Sequence, residues 1–211
     1  MTRAVALRVS ASAFSWILFA FCFTSLLLMA AAIVGLGGTS CASGGPFEVR
    51  TPCPDAISWL IMLPLPLAFV ALAVGAYGAG GFGTPLTTWA FPLTFLGFGV
   101  AFFIGAFAAG IGWGFIVCGA LFLVMGAIPA VIFLWTDPRR ALLGTVDIRG
   151  RRFAAGPRAR RGFFRSEAPE SAGSLVPTIA DGTRSLLIAI AGGALGVVLA
   201  QLIFSAIAGT G

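Results

Sequence analysis

Five apolar runs divide this chain, and each is long enough to cross a lipid bilayer. They cover residues 14–36, 55–77, 88–109, 113–135 and 185–208, and a membrane-spanning helix needs about 20 apolar residues. Because 59% of the 211 residues are hydrophobic and only 9% are charged, a water-soluble globule could not bury this much apolar surface. The sequence therefore predicts an all-α integral membrane protein, a bundle of five transmembrane helices.

Loops of different character separate the runs and predict the domain organisation. Residues 1–136 form a four-helix transmembrane region that includes an external loop at 37–54. Residues 137–184 form an arginine-rich loop, and residues 185–211 form the fifth helix and the C-terminus. A short glycine-rich break at 110–114 separates the third and fourth runs, which predicts an antiparallel helical hairpin.

The arginines predict the orientation of the chain in the membrane. Arg3 and Arg8 precede the first run, and ten of the other eleven basic residues lie within 137–184. Since positive residues collect on the cytoplasmic side, both segments are predicted to be cytoplasmic and the C-terminus external. Every basic residue is arginine, and alanine and glycine are abundant. We take this bias as that of a high-GC bacterial genome, so the predicted location is a bacterial cytoplasmic membrane.

The external loop contains two cysteines, Cys41 and Cys53, which are predicted to form a disulfide because disulfides persist outside the reducing cytoplasm. In the chain-entropy model, closing a loop of this length stabilises the fold by about 3 kcal/mol. A redox-active pair is the alternative. A structural disulfide is favoured over it because the spacing is not Cys-x-x-Cys and no histidine or lysine is nearby to lower a thiol pKa.

This loop also carries a resemblance to a family. The pattern Cys-x-x-Gly-Gly-Pro-Phe at 41–47, the Pro-Cys-Pro at 52–54 and the run from Trp113 to Pro129 resemble uncharacterised small multi-pass membrane proteins of actinobacteria. The resemblance covers about a quarter of the chain and implies a multi-pass membrane protein. It implies no activity.

The loop at 137–184 contains ten arginines and five acidic residues, which gives it a formal charge of +5. Anionic lipid headgroups are its predicted partners, because each basic residue near the membrane surface contributes about 1 kcal/mol of attraction. No recognisable nucleic-acid-binding fold frames these arginines, so no nucleic-acid partner is predicted. The residues predicted to face lipid or a partner are Arg149, Arg151, Arg152, Arg158, Arg160, Arg161 and Arg165.

Individual residues within the runs suggest packing roles. Gly105, Gly192 and Gly196 are predicted to let helices approach closely, and the face of the fifth helix around Gly192 and Gly196 is the predicted docking face for a membrane partner or a second copy. Pro64 and Pro66 should kink or unwind the second span. All five tryptophans lie near the ends of runs and are predicted to anchor the helices at the headgroup level: Trp16, Trp59, Trp89, Trp113 and Trp135.

The sequence points away from catalysis. It contains no histidine, and the interiors of the five runs contain no acidic or basic residue, so no catalytic residue, metal site or cofactor is predicted. We therefore expect a non-enzymatic accessory or scaffolding protein that packs against other membrane proteins. Two alternatives stay open: a membrane thiol–disulfide oxidoreductase that uses Cys41 and Cys53, and a transporter or channel for a neutral solute.

Overall fold

The computed structural model describes residues 2–35, 62–108, 112–154 and 174–208. Within these ranges the chain is helical, and isolated backbone bridges take the place of extended strands. The helices are α1 (Arg3–Gly35), α2 (Pro64–Ala73), α3 (Leu86–Ala108), α4 (Gly112–Thr136), α5 (Pro138–Leu143) and α6 (Ile179–Ala208). Four of them, α1, α3, α4 and α6, are long and apolar enough to cross a membrane. The predicted all-α class is confirmed.

Helix α2 lies in the second predicted span, of which residues 62–77 are described, and it is shorter than the four long helices. Pro64 lies in its first turn, where the missing backbone N–H leaves no helical hydrogen bond unmade. The kink or unwinding predicted at Pro64 and Pro66 falls at the start of α2, near the edge of the described residues, since both prolines lie in its first turn. The irregular geometry that the structure shows lies at the other end, where a π-helical turn, Val74–Gly78, follows Ala73.

Helices α1 and α6 run parallel and lie in close contact. A Cβ atom on Gly192 would lie 3.0 Å from Trp16 Cβ, and one on Gly196 would lie 2.8 Å from Ala20 Cβ. These distances leave no room for a side chain, so the two glycines allow the backbones to approach, as small residues do between transmembrane helices. The structure therefore places the predicted docking glycines of α6 against α1 of the same chain.

Helices α3 and α4 pack antiparallel, in the arrangement that the short break between their apolar runs predicts. A Cβ on Gly105 would lie 3.5 Å from the Phe115 ring, and one on Gly126 would lie 2.8 Å from the backbone nitrogen of Leu96. Aromatic rings occupy the space beside these glycines, with centroids 5.2 to 6.0 Å apart: Phe95, Phe98, Phe102, Phe115 and Phe122. The absence of a side chain at Gly105 and Gly126 thus leaves space for a phenylalanine ring or for the backbone of the facing helix.

The core of the described bundle lies around α1. Trp16 and Phe19 of this helix pack with buried residues from three others: Ala71 of α2, Leu86 and Ala90 of α3, and Ala189 of α6. Helix α1 is also the most buried of the four long helices, and α4 is the least buried. The fold is therefore a central helix with α2, α3 and α6 around it, and α4 joins this group through α3.

Candidate functional site

One end of the bundle, which we call the arginine end, gathers the start of α1, the loop at 79–85, the segment 137–154 and the start of α6. The carbonyl oxygen of Gly81 accepts hydrogen bonds from the backbone N–H groups of Thr145, at 2.7 Å, and Val146, at 3.2 Å. The N–H of Ala154 donates to the carbonyl oxygen of Leu175 at 2.9 Å. The bonds to Gly81 join residues 79–85 and 144–154 into one folded unit, which we call the loop junction, and the bond to Leu175 connects this unit to the segment before α6.

Thr84 attaches the loop junction to the helices. Its hydroxyl oxygen lies 2.8 Å from the carbonyl oxygen of Leu142 and 3.2 Å from that of Ser185, and it shares its one proton between these acceptors. Its own carbonyl oxygen accepts a hydrogen bond of 3.0 Å from the indole nitrogen of Trp16. Thr84 is 7% exposed, so these bonds are shielded from water and fix the loop between α1 and α6.

Two of the predicted membrane anchors, Trp16 and Trp89, donate hydrogen bonds within the protein. Trp16 is only 8% exposed, and Trp89 donates a hydrogen bond of 2.6 Å to the carbonyl oxygen of Ala141. Trp113 and Trp135 are 78% and 64% exposed, which suits side chains that reach the lipid headgroups. Trp59 lies outside the described residues.

A cavity of about 440 Å³ lies beneath the loop junction. Its size falls in the range of small-molecule sites, roughly 300–1,000 Å³. It is bounded by α1, the π-helical turn after α2, the start of α3, the end of α4, α5 and the loop junction itself. Hydroxyl groups make up much of the polar lining, among them those of Ser12, Ser15, Thr87, Thr88 and Thr136.

Asp137 and Arg140 supply the charged groups that line this cavity. Asp137 caps α5, because its Oδ1 accepts a hydrogen bond of 3.2 Å from the backbone N–H of Arg140. Its Oδ2 is buried and lies 3.3 Å from Arg140 Nε, without the alignment of a hydrogen bond. The pair has no net charge and retains hydrogen-bonding capacity, so with the surrounding hydroxyls it suits a small polar molecule. No group of side chains able to hold a metal ion occurs among the described residues.

Asp147 organises the tight turn at the tip of the loop junction. Its Oδ1 accepts hydrogen bonds from the backbone N–H groups of Arg149, at 2.9 Å, and Arg151, at 2.8 Å. Its Oδ2 lies 2.8 Å from both Nε and Nη2 of Arg151. Burial alone would raise the pKa of Asp147, but the hydrogen bonds and the charge of Arg151 outweigh it and hold this pKa below its ordinary value.

We expect this turn to open in acid. Since the folded-state pKa of Asp147 lies below its ordinary value of 3.8, the ionised carboxylate stabilises the turn fully above that value, and the contribution is lost as the pH falls through the folded-state pKa. Protection of the Arg149 and Arg151 amides from hydrogen exchange should therefore fall in acid. Asp147→Asn should remove this pH dependence. Wild-type protection that stays constant through the acid range would contradict the assignment.

The arginines predicted to face lipid are only partly within the described residues. Arg149, Arg151 and Arg152 belong to the loop junction, whereas Arg158, Arg160, Arg161 and Arg165 lie outside the described ranges. The structure adds Arg8, which sequence analysis used only to predict orientation. Its guanidinium group lies over Gly150, so the start of α1 and the loop junction meet at this end of the bundle.

Cys41 and Cys53, the predicted disulfide pair, lie outside the described residues. Cys22 is buried in α1, and Cys118 is exposed on α4. Apart from its three arginines, the residues that build the loop junction are not predicted from the sequence, although the Gly-Gly-Phe-Gly-Thr segment at 80–84 has the glycine content typical of a tight turn.

We compared the chain with models of known protein families, with curated proteins and with solved structures, and none of them matches it.

Proposed function

We propose that this chain is a non-enzymatic integral protein of a bacterial cytoplasmic membrane that packs against another membrane protein as an accessory or scaffolding component. In this proposal the chain crosses the bilayer five times, and residues 55–77 form the additional span. The arginine end faces the cytoplasm and the C-terminus is external. A Cys41–Cys53 disulfide would stabilise the external loop, and the basic loop would contact anionic headgroups.

The meeting of two distant basic segments supports this orientation. Arg8 of α1 contacts Gly150 of the loop junction, so both segments lie at one end of the bundle. The positive-inside rule requires them to share a side of the membrane. Helices α1 and α6 are parallel and both begin at this end, which agrees with an odd number of crossings between the N-terminus and the C-terminus.

The exposure of α4 is the observation that carries the accessory role. Within the described residues this helix packs along its length on α3 alone and meets α5 at its end. Large apolar side chains cover the rest of its circumference and are open to the surroundings: Ile116, Leu121, Val124, Ile128 and Val131. A transmembrane helix that is held through one face offers the others to lipid or to a partner helix.

Site-specific photo-crosslinking in native membranes tests whether a protein covers this face. A photoreactive amino acid at Ile128 of α4, which is 55% exposed, is compared with one at Leu202 of α6, which is 62% exposed. If α4 is the docking face, the Ile128 probe should give one discrete adduct with a second membrane protein or a second copy. The Leu202 probe should not.

Two results would contradict the proposal. Lipid adducts alone from both positions would mean that α4 simply faces the bilayer. An identical ladder of protein adducts from both positions would mean random encounters in the membrane.

Recognition of a small polar solute, as in a transporter or channel, is a second candidate that the cavity favours. Residues of the π-helical turn Val74–Gly78 and of the end of α4 line this cavity, although these two segments form no packing interface in the described part of the chain. The gap between them would give a solute a lateral or axial path to the hydroxyl groups and to the Asp137–Arg140 pair.

Filling the cavity tests this candidate. Ala76 of the π-helical turn lines it, whereas Ala73, three residues earlier at the end of α2, does not. Mass spectrometry of polar molecules released from the purified protein should find a bound compound in the wild type and in Ala73→Trp but not in Ala76→Trp. Equal amounts from all three proteins, or none from the wild type, would exclude the candidate.

A further inference from the structure

The guanidinium group of Arg8 lies against the backbone of Gly150 in the loop junction. Gly150 has φ +85°, a left-handed conformation that favours glycine. A Cβ at this position would lie 2.5 Å from Nη2 and 2.7 Å from Cζ of Arg8. The bare backbone of Gly150 thus provides the surface on which the guanidinium group rests, and any larger residue would displace it.

The charge of this site is not neutralised within the described part of the chain. Neither Arg8 nor Arg149 forms an ion pair there. The aspartates at the arginine end are engaged elsewhere: Asp137 caps α5 beside Arg140, Asp147 binds Arg151, and Asp181 accepts hydrogen bonds from Thr178. Among the described residues, these two guanidinium groups therefore have no carboxylate partner, which favours an anion.

A recess of about 590 Å³ lies between the two arginines. Its remaining lining is mostly apolar, with Ala4 and Val5 from α1 and Ile148 from the loop junction. A site lined by both charged and aliphatic groups suits an amphiphile better than a free inorganic ion, because the apolar part of the ligand removes aliphatic surface from water.

The recess also lies at the depth of lipid headgroups. Gly192 of α6 packs against Trp16 of the parallel helix α1, so the first turns of the two helices are level. Arg184 therefore lies at about the height of Arg8, and both arginines precede the apolar runs of their helices, which begin at residues 14 and 185. Charged residues at the end of an apolar span lie where lipid phosphates are found.

We propose that this recess binds the phosphate of an anionic phospholipid, with Arg8 and Arg149 as its ligands and the glycerol region against Val5 and Ile148. The proposal rests on the membrane location of the proposed function, but it needs no protein partner. Its outcome is therefore independent of the crosslinking result at α4.

Native mass spectrometry of the purified full-length chain in detergent measures this binding directly. The probes are phosphatidylglycerol and the zwitterionic phosphatidylcholine, added in equal amounts. The wild type should prefer phosphatidylglycerol, and Arg8→Gln and Arg149→Gln should each reduce that preference about fivefold. Gly150→Ala should reduce it too, although both charges remain, because the guanidinium of Arg8 is displaced.

Arg184→Gln is the charge-matched control, since this exposed arginine lies at the same height but outside the recess. It should leave the preference unchanged. An equal loss in Arg184→Gln would mean diffuse attraction without a site, and no loss in Gly150→Ala would overturn the role of the turn. If inorganic phosphate displaces the lipid as readily as phosphatidylglycerol does, the ligand is a soluble phosphate and the lipid assignment is wrong.

Discussion

Replacing Gly196 with leucine should separate α1 from α6 and lower the free energy of unfolding by about 3 kcal/mol. A Cβ at Gly196 would lie 2.8 Å from both Ala20 Cβ and the backbone nitrogen of Phe21, and it would also overlap the carbonyl oxygen of Ile17. Two of these three atoms belong to the backbone of α1 and cannot rotate away. The helices must therefore move apart, which breaks the contacts around Trp16. Equilibrium unfolding in mixed detergent micelles measures the loss.

Gly193 provides the matched control for this substitution. It lies on the same helix less than one turn away, and a Cβ there would meet no atom within 4 Å. Gly193→Leu should therefore change the free energy of unfolding by no more than about 0.5 kcal/mol. Equal destabilisation by both variants would mean that leucine acts on α6 itself, and an unchanged Gly196→Leu protein would contradict the close contact of α1 with α6.

The sequence predicts the helices well because each long helix has a continuous apolar run. The α3–α4 hairpin follows from the short glycine-rich break between its two runs. A linker of so few residues cannot cross the membrane, so the second helix must run back antiparallel to the first. The spacing of Gly192 and Gly196 predicts a close helix contact, but it does not identify the partner helix. A small-residue pattern is equally compatible with a neighbour in the same chain and with a second molecule.

The roles of Trp16 and Trp89 could not be predicted in the same way. An indole near the end of an apolar run suits the headgroup layer, and it suits equally well a buried hydrogen bond to a loop that folds back on the helix. The choice depends on where the loop lies. That position is determined by Thr84 and by residues more than 50 positions further along the chain, and no local pattern records such a contact.

The internal structure of the segment 137–154 could not be predicted from the sequence either. Its arginines predict the side of the membrane on which it lies, but charge does not predict its internal structure. The Asp-Pro sequence at 137–138 is the one local signal, since aspartate caps a helix and proline is tolerated in its first turn. The helix α5 begins there and ends at Gly144, whose requirement for glycine comes from a distant loop.

Gly144→Ala should disrupt the loop junction and lower the free energy of unfolding by about 3 kcal/mol. Gly144 has φ +78° and ψ −160°, a conformation essentially restricted to glycine. A Cβ there would also lie 2.5 Å from the carbonyl oxygen of Gly83 and would overlap that of Gly81, which accepts hydrogen bonds from Thr145 and Val146. The amides of these two residues should lose their protection from hydrogen exchange.

Gly80→Ala separates the two causes of this loss, which are backbone strain at positive φ and overlap of the new Cβ with carbonyl oxygens. Gly80 also has a left-handed conformation, with φ +57°, but the nearest atom to a Cβ there would be Arg8 Nε at 3.9 Å. This variant should therefore cost only the backbone strain, about 1–2 kcal/mol, and should leave the amides of Thr145 and Val146 protected. If both variants expose these amides equally, backbone strain alone controls the junction. If Gly144→Ala leaves them protected, residues 79–85 and 144–154 do not pack as one unit.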